Sequence, residues 1–108
     1  MPRAAITHIV FMKFPDPSAA ILQQARAKLL GMQGRVASLR TVEVGLDFDR
    51  SARAWDLALV TSFDSREAMD EYQNDPAHLE VLTWLRSLPI TSAVVDYYTP
   101  GYPEIPGG

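Results

Sequence analysis

The chain contains no cysteine. That absence removes disulfides, thiolate nucleophiles, iron–sulfur clusters and cysteine-ligated zinc, and leaves nothing that requires an oxidising compartment. Long hydrophobic stretches are missing too. Runs such as Ile9-Val10-Phe11-Met12 fall far short of the roughly 20 residues a membrane helix needs. There is no surplus of positive charge: 10 Lys plus Arg stand against 13 Asp plus Glu, a formal net charge of −3. Without a basic patch the chain lacks the attraction to phosphates that nucleic-acid binding needs, so DNA and RNA are not expected partners. The start, Met1-Pro2-Arg3-Ala4-Ala5, runs directly into a β-like segment and shows no signal-peptide pattern. A cytoplasmic location with no membrane partner is therefore expected. P-loop, G-x-G-x-x-G, H-E-x-x-H and EF-hand patterns are all absent. Gly31-Met32-Gln33-Gly34 is a GxxG string, but without basic surroundings it reads as a helix stop.

What is present is one domain's worth of apolar material. With 47% hydrophobic and 21% charged residues over 108 positions, the chain can bury roughly two-thirds of its unfolded surface. Residues 1–100 read as the domain, and residues 101–108, within the Pro/Gly-rich stretch from Pro100, read as an extended tail that is either loose or a subunit brace.

Ile6 to Phe14 reads as a first strand, stopped by Pro15-Asp16-Pro17. A helix follows, with Asp16 as its expected cap, Pro17 at its first position and Ile21, Ala25, Leu29 and Met32 on its apolar stripe. Leu39 to Gly45 and Trp55 to Phe63 read as the next two strands, joined by a polar connector over Asp47–Arg53. Asp64 with Glu67 resembles a capping box opening a second helical segment. Asn74-Asp75-Pro76 interrupts that segment, and Asp75 with Pro76 starts it again toward Leu88. Ala93 to Tyr98 is the last strand. This βαββαβ order predicts an α+β, ferredoxin-like protomer, an antiparallel four-stranded sheet with helices on one face.

Strand parity makes both sheet faces apolar. Helices are expected to cover His8, Val10, Met12, Leu57, Leu59 and Val94. Ile9, Phe11, Val42, Val44, Ala58, Val60, Val95 and Tyr97 are then left for another surface. Burying them against a second sheet is worth several kcal/mol at about 25 cal/mol per Å², so a homodimer with sheets face to face is expected.

The only two histidines carry the chemistry a cysteine-free chain has left. His8 points by parity to the helix-covered face, and His78 lies in the first turn of the helix after Pro76. Tyr72 sits just before the break, and Asp96, on the strand expected beside the first, is placed to orient His8. A helix N-terminus disfavours imidazolium, which suits His78 to general-base work, while a tyrosine hydroxyl suits a developing enolate oxygen. Taken singly, each residue has a plainer reading: a surface histidine, a satisfied strand histidine, a core aromatic and a strand-end carboxylate. Together on one apolar face they outline a pocket, with Val10, Met12, Leu59, Thr61, Val81, Leu85 and Val94 as expected substrate-binding walls. Two separated histidines and scattered carboxylates suggest no transition-metal site, and no cofactor is expected.

His8-Ile9-Val10-Phe11-Met12-Lys13-Phe14, Ser62-Phe63-Asp64-Ser65 with Glu67, Tyr72 with Pro76-Ala77-His78, and Val95-Asp96-Tyr97 together resemble the stress-responsive dimeric α/β-barrel (Dabb) family, over about Ile6 to Pro100. The resemblance implies a ferredoxin-like protomer that pairs with a second copy to close a barrel. In the family's plant polyketide-cyclase branch the histidine of P-A-H acts as base, the tyrosine six residues earlier assists, and the opening histidine lines the pocket of a cofactor-free aldol closure. His78, Tyr72 and His8 match those positions. Gln24-Ala25-Arg26-Ala27 lacks the aromatic residues associated with the cyclase pocket. The resulting expectation is a homodimer that takes a small, apolar, oxygenated molecule between sheet and helices, with His/Tyr acid-base chemistry. Two alternatives stay open: a non-enzymatic stress or structural dimer with a filled core, and a monooxygenase-like or haem-handling barrel.

Overall fold

The computed structural model describes residues 5–100, and the expected tail at 101–108 lies outside them. β1 (Ile6–Lys13) is followed by α1 (Ala19–Leu30), β2 (Thr41–Leu46), β3 (Leu57–Phe63), α2 (Arg66–Asn74), α3 (Pro76–Arg86) and β4 (Thr91–Tyr98). The four strands form one antiparallel sheet in the order β2-β3-β1-β4. This is the expected ferredoxin-like arrangement. Among the described residues no helix is long and apolar enough to cross a membrane.

Two expected caps shift by one or two positions. Ser18, not Asp16, caps α1 by accepting from Ile21 N–H at 3.2 Å, so Pro17 precedes the helix and does not open it. Ser65, not Asp64, caps α2 through Ala68 N–H at 3.1 Å, while Asp64 pairs with Arg40 at 3.0 Å. In both places a serine follows the aspartate within two positions, and both side chains are good acceptors for the free amides of a first turn. The break between α2 and α3 is as expected: Asp75 accepts from Ala77 N–H at 2.8 Å and Pro76 occupies the first turn.

The core lies between the sheet and α1, α2 and α3, built on Phe63, Tyr72, Leu57, Leu29, Met32 and Val36. Register corrects one assignment. Val42 stands opposite Thr61 and Val44 opposite Leu59, so both belong to the helix-covered face and not to the second one. The second face instead carries Ile9, Val60 and Val95 in one row and Phe11, Ala58 and Ala93 in the next. A second correction concerns Val94. It was expected beneath the helices, yet it is 56% exposed, because α1 packs on β2 and α2 on β3 while β4 lies beyond the helical layer. β4 is therefore uncovered along nearly its whole length.

The polar connector between β2 and β3 contains a tied carboxylate that parity did not reveal. Asp56 is buried, accepts from Phe14 N–H at 2.7 Å and receives Arg50 at 2.6 Å. Arg50 also bridges Asp47 at 3.2 Å from a left-handed φ of 54°. Asp56 raises the guanidinium pKa through its hydrogen bond. The pair closes the hairpin onto the end of β1, where Asp56 N–H donates to Met12 C=O at 2.9 Å. Asp56→Ala leaves Phe14 N–H buried without a partner and should lower unfolding free energy by about 1–3 kcal/mol, read from the urea midpoint at constant slope.

Candidate functional site

The partial helical cover opens a groove between α3 and the strands β1 and β4. Its volume is about 480 Å³, and His8, Tyr72 and His78 all line it. Three separate elements deliver them. His8 comes from β1 at the position paired with Asp96. Tyr72 comes from the end of α2 and His78 from the first turn of α3, brought together by the Pro76 break.

Tyr72 lies between the two imidazoles. Its ring centroid is 4.3 Å from that of His78 and 6.4 Å from that of His8, and Phe63 supports it from 4.9 Å. Only 1% of Tyr72 is exposed, and burial pushes its phenol pKa up to about 12. The hydroxyl therefore keeps its proton across the neutral range and stays a donor. His78 is held through Nδ1–H to Gln73 C=O at 3.3 Å. Burial is the main reason its pKa lies below the ordinary histidine value, and the charge of Arg86 acts in the same direction. Near neutral pH His78 presents an unprotonated Nε2. His8 is buried and donates Nδ1–H to Asp96 Oδ1, which fixes its ring and leaves Nε2 as the nitrogen free to meet a ligand.

The expected walls divide. Val10, Met12, Leu59, Val81 and Leu85 line the groove, and their side chains bound open space instead of filling it. Thr61 does not reach it: fully buried beneath the sheet surface, its hydroxyl donates to His8 C=O at 3.2 Å. Val94 does not line it either, for the reason of helical cover given above. Asp96 stands behind His8 and outside the lining. Several lining residues were not foreseen, among them Leu29, Gln73, Asn74, Arg86, Ile90 and Ser92. Arg86 was legible in principle, since His78, Leu82 and Arg86 follow one another at intervals of four along α3. Ile90 and Ser92 depend on how β4 sits against α3, which no periodicity reports.

Among the described residues no group of three or more His, Asp or Glu side chains gathers where a metal ion could be held. The available chemistry is that of a base, a buried phenol donor and an oriented imidazole in an apolar groove, a set able to move a proton at carbon next to a carbonyl.

Comparison with known proteins agrees with the geometry. The structure resembles a dimeric ferredoxin-like protein of unknown function from Bacteroides fragilis (22% identity, TM-score 0.79, covering 92% of this chain and 100% of that one). It is equally similar to a dimeric ferredoxin-like protein of unknown function from Thermobifida fusca (21% identity, TM-score 0.79, 90% and 92% covered). A hydroxynitrile lyase from Passiflora edulis superposes as well (19% identity, TM-score 0.79, 93% and 97% covered). No curated protein sequence matches significantly. The model of the Stress responsive A/B Barrel Domain (Dabb) matches residues 6–99, nearly the entire described chain, and the protein belongs to that family.

Proposed function

We propose that two copies pair through their bare sheet faces, and that each protomer binds a small, largely apolar carbonyl compound in the groove and exchanges a proton at the carbon beside the carbonyl without a cofactor. The observation that carries this reading is a single cavity touching His8, Tyr72 and His78 together. His78 Nε2 takes the proton, the C–H electron pair moves into the carbonyl, and Tyr72 O–H donates to the enolate oxygen that forms. The enolate then recovers a proton or attacks a second carbonyl. His8, held by Asp96, orients the substrate oxygen. That a neighbour of the same fold is a hydroxynitrile lyase supports an enzymatic use of this architecture.

Pairing is supported by the second sheet face. Phe11, Val95 and Tyr97 are exposed there, and Phe48, 94% exposed, stands at its margin beside Phe11, Gly45 and Ala58. Covering such a surface at about 25 cal/mol per Å² outweighs leaving it in water. Two of the structural neighbours are described as dimeric.

Sedimentation should give a species of twice 12.0 kDa for the native chain, and Val60→Asp, which places an unpaired carboxylate in the interface, should return it to 12.0 kDa. Proton exchange is read by loss of the α-hydrogen NMR signals of a simple methyl ketone in deuterium oxide. His78→Ala should slow it by about 10²–10⁴-fold and Tyr72→Phe by about 10²–10³-fold. Full exchange by His78→Ala overturns the assignment. With pH, the rate should rise as His78 loses its proton, at a midpoint below the free-histidine value of 6.5, and then stay level until Tyr72 ionises near 12.

A further inference from the structure

The groove is not electrically neutral along its length. Of the residues that line it, none is Asp or Glu, and Arg86 is its one Lys or Arg, in a chain whose net charge is −3. Of the other described arginines, Arg35 pairs with Glu80, Arg40 with Asp64, and Arg50 with Asp47 and Asp56, whereas Arg26, Arg53 and Arg66 make no ion pair within the described residues and do not line the groove. Arg86 makes no ion pair among the described residues. Its place in the last turn of α3 suits the helix dipole, and the exposed residue also lines the groove, whose lining holds no acid to neutralise it. His78 opens the same helix eight positions earlier, so at 1.5 Å per residue the two stand about 12 Å apart along the axis. Between them the α3 wall is Leu79, Val81, Leu82 and Leu85.

We infer that the ligand is an elongated molecule with its carbonyl at the His78 and Tyr72 end, an apolar middle, and an anionic terminus held by Arg86. This rests on the groove being the ligand site, as proposed above. The terminus is a carboxylate of the substrate itself or a phosphate of a carrier attached to it. Both match the planar donor fork of a guanidinium. The groove then selects by charge at one end and by chemistry at the other, with the apolar span setting length.

Calorimetric titration of the native protein with 8-oxononanoate, its neutral methyl ester and 7-oxooctyl phosphate tests this directly. At least one anion should bind about tenfold more tightly than the ester, the scale of one charge-assisted contact at a half-open site. Arg86→Leu should abolish that difference while leaving ester affinity unchanged, and Arg86→Lys should retain part of it. Whichever anion binds more tightly identifies the source of the charge. Equal binding of anions and ester by the native protein overturns the role of Arg86 while leaving the groove as a ligand site. An anion preference that survives Arg86→Leu does the same. If none of the three binds, the reading of the groove falls together with this inference.

Discussion

Proline at position 76 has no amide hydrogen to continue a helix ladder, and the half of the molecule that carries the groove is arranged around that fact. Asp75 uses the interruption to cap a new helix through Ala77 N–H, so α2 ends and α3 begins within one residue. The change of direction carries Tyr72, from the last turn of α2, against His78 in the first turn of α3. A continuous helix would have placed these residues six positions apart, well over one turn along the axis, with no stacked pair between them. The same break leaves α3 resting mainly on α1 and α2, so the sheet beneath it is covered on one side only.

Incomplete cover then explains both the site and its chemistry. Strands β2 and β3 are roofed by α1 and α2, whereas β4 is not roofed at all, and the space left between α3 and β1 is the groove. Its depth desolvates Tyr72 enough to hold the phenol protonated and pulls His78 toward its neutral form. A protonated phenol and a neutral imidazole therefore coexist near neutral pH within one aromatic stack. His8 is joined to this pair by strand pairing alone, since the register that puts it opposite Asp96 also turns its ring toward Tyr72.

The sheet surface facing away from the helices imposes the other demand. Ile9 and Val60 of the central strands form a row that continues into Val95 on β4, and Phe11 and Ala58 form the next, which continues into Ala93. An apolar sheet face of this width is the surface on which the proposed pairing with a second copy rests. The groove lining meanwhile carries two histidines and one arginine, and the α3 residues between His78 and Arg86 that line it, Leu79, Val81, Leu82 and Leu85, are all aliphatic.

The sequence by itself determined the order and kind of the elements, because periodicity, proline and capping residues act over one or two turns and leave local traces. It also determined the short list of chemistry, since a chain with two histidines and no cysteine has few choices. Parity sufficed to put His8 and Asp96 on one face, but it misassigned Val42 and Val44, because the face a strand presents depends on its register with a neighbour and not on its own alternation. Only the tertiary structure decided that Thr61 is sealed while Val94 stands open, that Ser18 and Ser65 take the caps from the aspartates just before them, and that Arg86 joins His78 in one groove. Those outcomes depend on how far the helical layer reaches across the sheet, a distance set by packing between residues remote in the chain.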